Sequence, residues 1–192
     1  MREFLKQNIK KHISLSDNET DQFCNLFHQK LIKKKSFLLQ QGEICKFEGF
    51  VTKGLFRVYY NDKNGFDQIL YFAAENWWIT DIDSFTNASP SQLFIQALED
   101  SVVLLISKDD KEFAYKNLPQ IEKLFRVMTQ KTHVALQRRM INNLSKPAEE
   151  RYMEFIEKYP QLTQRLSNIQ IAAYLGITNV FLSNIRKKIA HK

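Results

Sequence analysis

The spacing of apolar residues changes twice along the chain, and each change marks a new kind of structure. Residues 2–12 read as a short amphipathic helix. Residues 17–31 read as a second, with Phe23, Leu26, Phe27 and Leu31 at helical intervals and Ser16 or Asp17 as its cap. From about 36 to 107 short apolar or alternating runs replace this pattern: Phe37-Leu38-Leu39, residues 55–60, residues 68–72, residues 93–97 and residues 102–106. They are rich in aromatic and β-branched residues, and Gly- and Asn-containing turns separate them at 41–43, 53–54, 62–65 and 87–90. Short strands at regular intervals predict a small barrel or sandwich. From Ser107 onward helical spacing returns, with a short helix at 108–116 and a long one from Pro119 to about Leu144.

The stripe of the long helix runs Ile121, Phe125, Met128, Thr132, Ala135/Leu136, Met140 and Leu144. A helix of this length between two modules has two ways to cover such a stripe: packing on the strand-rich part, or pairing with its twin in a second subunit. The second makes residues 121–140 a dimer interface. Pro147 opens a further helix carrying Tyr152, Phe155, Ile156 and Tyr159, which Pro160 ends. The expected organisation is α+β: N-terminal helices and strands over 1–116, a dimerisation helix over 117–146 and an all-helical module over 147–192.

That last module contains a helix-turn-helix pattern. Ser167 can cap a helix over 168–175, Gly176 stands where the chain must turn left-handed, and Thr178 can cap the helix that follows. Ala172 is small where the second helix crosses, and Ile171, Leu175, Ile177, Leu182 and Ile185 are spaced to fill the core between them. The outward positions are then Asn179, Val180, Phe181, Ser183, Asn184, Lys187 and Lys188, with Arg186 beside them. Polar and methyl-contacting side chains on the first half of such a helix, with bases near its end, suit a major groove and its flanking phosphates.

Charge strengthens this reading. The chain of 192 residues has a formal net charge of +7, but residues 1–116 carry 15 basic and 16 acidic groups while 117–192 carry 13 and 5. No acid follows Glu157, whereas Lys158, Arg165, Arg186, Lys187, Lys188 and Lys192 do. A one-sided basic end attracts a polyanion, because neutralising phosphates releases counterions; a solubilising basic tail is the plainer alternative. Two cysteines, Cys24 and Cys45, make no disulfide framework, and neither a signal peptide nor a membrane span is visible. A soluble cytoplasmic protein is expected.

The order of these parts, with Lys53-Gly54-Leu55-Phe56-Arg57-Val58-Tyr59-Tyr60, Glu75-Asn76-Trp77-Trp78-Ile79-Thr80-Asp81, Ala97-Leu98-Glu99-Asp100, Val134-Ala135-Leu136-Gln137-Arg138-Arg139 and Ala148-Glu149-Glu150-Arg151-Tyr152, resembles the Crp/Fnr family of bacterial transcription regulators, in its short divergent branch common in Bacteroidetes. The resemblance covers nearly the whole chain. It implies a cyclic-nucleotide-binding-like β-roll, a homodimer acting as repressor or activator, and a winged helix-turn-helix whose wing would fall at about 162–168. The implied partners are double-stranded DNA, a second copy of the chain, RNA polymerase, and an unidentified small-molecule effector or none.

Two departures limit what carries over. Nucleotide-binding relatives hold the cyclic phosphate with a Gly-Glu turn and an Arg beside Ser or Thr. Here the turn reads Ala74-Glu75-Asn76, and the Arg position falls near Ser91. Residues 64–107 hold no Lys, Arg or His but six acids, which would repel a buried phosphate. Cyclic AMP is therefore not expected to bind. Trp77, Trp78, Phe85 and Phe94 are expected to be core, or else to line an apolar effector pocket. In the recognition helix, Val180 and Asn184 replace the Glu and Arg by which relatives read bases. Asn179 and Asn184 can read adenine, and Val180 or Phe181 thymine methyls, favouring A·T-rich half-sites. The alternatives are loss of sequence reading, or an adaptor that docks protein through Val180 and Phe181.

Other chemistry finds little footing. His12, His28, His133 and His191 show no paired ligand spacing, and two cysteines are too few for an iron–sulfur cluster. Asp81 and Asp83 would share a face if extended, but no nucleophile or phosphate loop accompanies them, so exposed loop acids are expected. No enzyme activity, metal or cofactor is predicted.

Overall fold

A computed structural model describes residues 2–190; Met1 and the sequence-predicted His191 and Lys192 lie outside the described residues. The elements run α1 (Arg2–Lys10), α2 (Asp17–Asn25), β1 (His28–Ile32), β2 (Phe37–Leu39), β3 (Phe47–Lys53), β4 (Phe56–Asn61), β5 (Asp67–Ala73), β6 (Trp78–Ile79), α3 (Ile82–Asn87), β7 (Phe94–Ala97), β8 (Ser101–Ser107), α4 (Lys108–Asn117), α5 (Pro119–Ser145), α6 (Ala148–Lys158), α7 (Pro160–Thr163), α8 (Asn168–Leu175) and α9 (Asn179–Ala190). The strands form two four-stranded sheets, ordered β1-β8-β3-β6 and β2-β7-β4-β5. The α+β class is as expected.

The chain divides into two compact units, residues 1–60 with 72–131, and residues 61–71 with 132–192. The division falls inside α5 rather than at 116 or 146. The first half of α5 explains this: Ile121, Leu124 and Phe125 are buried in the core of the first unit, and Met128 packs against it. Ile121 and Phe125 therefore do not belong to an exposed dimer stripe; they cover the protomer's own core. Beyond them Thr132, Ala135, Leu136 and Met140 are exposed.

The core of the first unit joins α1, α2, two strands and the helices after β8 through Leu5, Ile9, Phe23, Phe27, Phe50 and Leu104. Trp78 packs edge-on to Phe50 and Phe125, with ring centroids 5.3 and 5.6 Å away, and its indole N–H donates to Asn8. Ser16 caps α2 in a full capping box with Glu19. That helix stops at Asn25, not at 31. Residues 28–32 instead pair with β8, His28 opposite Leu105 and Ile32 opposite Ser101, which leaves Leu31 exposed.

Strand β3 runs between β8 and β6 with Glu48 buried near its start. The Lys111 ammonium donates to Glu48 at 2.7 Å and lies 4.1 Å from the Phe125 ring centre, so the inward charge is paired. Asp81 and Asp83 are not loop acids. Asp81 is buried and caps α3, accepting from the Asp83 and Ser84 amides, while Asp83 accepts from Asn87 one turn later.

Candidate nucleic-acid interface

The helix-turn-helix lies wholly in the second unit, and its local chemistry dictates its shape. The Ser167 hydroxyl accepts from the Gln170 amide, and Gln170 returns the bond to the Ser167 amide, fixing the start of α8. Gly176 ends that helix at φ +66, a left-handed conformation that a Cβ disfavours. Thr178 then accepts from the Phe181 amide at 3.2 Å and starts α9. Ile171, Ala172, Leu175, Leu182 and Ile185 are buried between the two helices, and Ile177 is half-buried. The small Ala172 lets the helices approach.

With that face buried, α9 turns the opposite one outward. Asn179, Val180, Phe181, Asn184, Arg186, Lys187 and Lys188 are exposed, Val180 by 70% and Phe181 by 50%. Ser183 is half-buried and donates to the Asn179 carbonyl. The bases differ in freedom. Arg186 donates to the Asn168 side chain and Lys188 to Glu149, whereas Lys187 extends into solvent. Ser167, the cap at the start of α8, is exposed as well.

Two further arginines support α8 from behind, and the sequence reading gave neither a role. Arg151 on α6 donates to the Leu175 carbonyl at 2.8 Å, and Arg139 on α5 donates to the Tyr174 carbonyl at 2.7 Å. Both thus place a cation at the carbonyl end of α8, where the helix dipole favours one. Burial pushes the Arg139 guanidinium down from its ordinary value, and burial pushes the Tyr174 hydroxyl up. The only signal in the sequence was that both arginines stood in stretches resembling the family.

The expected wing is replaced by a helical turn. Residues 160–163 form α7, with Pro160 in its first turn, and among the described residues no strand follows β8. The buried Leu162 and Leu166 draw this connection into the helical core, leaving too little chain for a hairpin.

In the first unit, the position matching a phosphate-binding Arg is Ser91. It is buried and donates to the Asp81 carboxylate at 2.6 Å. Glu75, in the turn, accepts from the Gly54 amide at 2.7 Å. The four aromatic residues, expected to be core or a pocket lining, have different ring neighbours or surroundings. Trp78 lies in the core with Phe27 and Phe50; Phe94 stacks on Tyr59, centroids 5.1 Å apart, in the other sheet. Phe85 is buried on α3 with the Lys111 ammonium 5.3 Å from its ring, and Trp77 is half-buried before β6. Trp78 and Phe94 stand on strands of different sheets, β6 beside β3 and β7 beside β4.

Residues 29–117 match the cyclic nucleotide-binding domain family. No protein with a curated description matches the chain. Among solved structures, FixK2 from Bradyrhizobium japonicum superposes with a TM-score of 0.76 at 19% identity, over 86% of this chain and 85% of that one. The c-di-GMP-responsive global regulator CLP of Xanthomonas campestris gives 0.74 at 12% identity, over 92% of each. A regulator assigned to the Crp/Fnr family from Eubacterium rectale gives 0.72 at 13% identity, over 92% and 84%. Residues 29–117 thus resemble a cyclic nucleotide-binding domain, and the chain shares the fold of these solved regulators.

Proposed function

We propose that this chain is a homodimeric DNA-binding transcription regulator of Crp/Fnr type that is not controlled by cyclic AMP. The observation that carries the reading is the outward face of α9. Directly after the Gly176 turn it offers Asn179 and Asn184, Val180 and Phe181, and then Lys187, and no acid follows Glu157 in the sequence. This matches what a major groove requires of an entering helix.

The same face supports a preference for A·T. Asparagine pairs bidentately with adenine, and apolar side chains contact thymine methyls. Arginine on guanine is the commonest specific contact, yet Arg186 is already engaged by Asn168. A twofold dimer would then read half-sites about 34 Å apart. Leu136, Met140 and Leu144, exposed at four-residue intervals on α5, supply an apolar stripe for pairing two copies. An effector, where one exists, would act by changing that pairing and so the spacing of the two α9 helices. RNA polymerase completes the partners of this reading.

The test is a mobility shift on A·T-rich palindromes and G·C-rich duplexes at rising salt. Binding should favour the former and fall with a log–log slope of about −0.9 per phosphate contact. Failure to bind any duplex in dilute buffer overturns the reading. The exposure of Val180 and Phe181 favours one alternative, an adaptor that docks protein through α9. Salt-insensitive association with a protein and none with DNA would establish it.

A further inference from the structure

Lys188 and Glu149 stand 39 positions apart in sequence, and the Lys188 ammonium donates to the Glu149 carboxylate at 2.7 Å. Both residues lie in the second compact unit. Glu149 is in the first turn of α6 and Lys188 in the last turn of α9. A helix favours an anion at its first turn and a cation at its last, so each charge suits its place. The two side chains are 61% and 30% exposed, lysine first, and a pair so open to water adds little to stability. Its effect falls instead on what Lys188 can bind.

A base contributes to duplex binding by releasing a cation that the phosphates had condensed. A base already paired with a carboxylate brings almost no such gain. If a phosphate displaces the carboxylate, the freed carboxylate takes up a cation as the phosphate gives one up, and net release is near zero. If the carboxylate stays, the phosphate meets an anion already 2.7 Å from the ammonium it needs. In either case Lys188 counts for less than its charge, whereas the neighbouring Lys187 is exposed and extends into solvent.

We propose that Glu149 competes with duplex phosphates for Lys188 and so sets the sequence-independent part of this chain's affinity for DNA. The inference rests on the proposed DNA-binding function and adds to it a residue outside the helix-turn-helix. Glu149 lies on α6 and reads no base. Its charge weakens the hold on every duplex by the same factor. Residence on unrelated sequence falls, while the preference that the outward residues of α9 give between sequences is untouched. Glu150, the next residue, lies 3.9 Å from Lys146, between α5 and α6, and so offers a control of equal charge that does not touch α9.

The test is fluorescence anisotropy of the full chain on an A·T-rich palindrome and a G·C-rich duplex at rising salt. Glu149→Gln should tighten binding about fivefold to both duplexes in dilute buffer and steepen the log–log salt slope by about 0.9 for each copy of the chain bound. In a Lys188→Met background the same substitution should change affinity by less than about twofold and the slope by less than about 0.3. Glu150→Gln should likewise move the slope by less than about 0.3. Glu149→Ala serves if loss of helical circular dichroism shows that Glu149→Gln does not fold. Equal steepening with and without Lys188, equal steepening from Glu150→Gln, or none from Glu149→Gln overturns the proposal while the DNA-binding reading stands. A gain confined to one duplex also overturns it, because Glu149 would then bear on base reading. If neither the unmodified protein nor Glu149→Gln binds any duplex, the DNA-binding reading fails and the proposal with it.

Discussion

The Ser91 hydroxyl donates to the Asp81 carboxylate at 2.6 Å, and both side chains are buried. Asp81 is also bound by the Asp83 and Ser84 amides, so its charge is satisfied by donors and held in place. A cyclic phosphate brought to this segment would meet a fixed anion where nucleotide-binding relatives of similar sequence order have an arginine. Desolvating two like charges without a cation is unfavourable by several kcal/mol, on the order of the penalty for one buried unpaired ion. Calorimetry with cyclic AMP should therefore give no binding heat at ligand concentrations of about 1 mM. A micromolar dissociation constant would overturn this expectation.

A second prediction separates two glycines that share left-handed backbones. Gly54 has φ +94, and a Cβ there would stand 2.1 Å from the Ser101 Oγ and 2.8 Å from the Ser101 Cα. Gly65 has φ +80 with nothing within 4 Å. Gly65→Ala should cost about 1 kcal/mol, the backbone penalty alone. Gly54→Ala adds a collision with backbone and should cost about 3 kcal/mol or more. Urea denaturation of both variants checks the order; equal midpoints would show that the chain near Ser101 yields freely.

The contrast between what the sequence revealed and what it hid follows from the range of the interactions. Ser16, Ser167, Gly176 and Thr178 were legible because a cap or a left-handed turn is fixed by neighbours within four residues. Strand β3 was hidden because Glu48 and Gly49 interrupt its apolar pattern, and the partner that makes Glu48 tolerable, Lys111, lies 63 residues away. The helix expected to reach residue 31 satisfied the helical spacing, yet pairing with β8 prevailed, a tertiary contact that overrides local pattern. Trp77, Trp78, Phe85 and Phe94 read as core or as a pocket lining, and the ring partners of Trp78 and Phe94, Phe50 and Tyr59, were not legible because they lie 28 and 35 positions away. Arg139 was visible only as part of a stretch resembling the family, since its acceptors lie about 70 and 35 positions away.

Cysteine chemistry gives a third prediction. Cys24 is buried among the packed side chains of the first unit, and burial pushes its thiol up to about 11. Cys45 is buried as well and donates to the Phe47 carbonyl. Only the thiolate reacts readily, so Cys24 should resist an aromatic disulfide reagent at pH 8 in the native protein, and burial should shield Cys45 from the same reagent. They should become reactive when denaturant unfolds the first unit. Rapid labelling of Cys24 in the native state would contradict its placement in the core.

The far half of α5 carries the last prediction. Leu136, Met140 and Leu144 are exposed by 51, 64 and 81% and stand four positions apart, so they lie along one side of the helix. Ile121 and Phe125, one end of the same sequence stripe, are closed into the first unit, so an interface between copies must rely on the residues beyond Met128. Charge placed on that stripe removes the gain from burying it, about 1.5–3 kcal/mol for each large apolar side chain, and adds repulsion across a twofold axis. Met140→Glu with Leu144→Glu should therefore convert a dimer to a monomer in sedimentation equilibrium. The thermal transition of the first unit should stay unchanged, because neither side chain belongs to its core. A dimer that survives both substitutions must pair through a different surface, and the α5 stripe would then need another explanation.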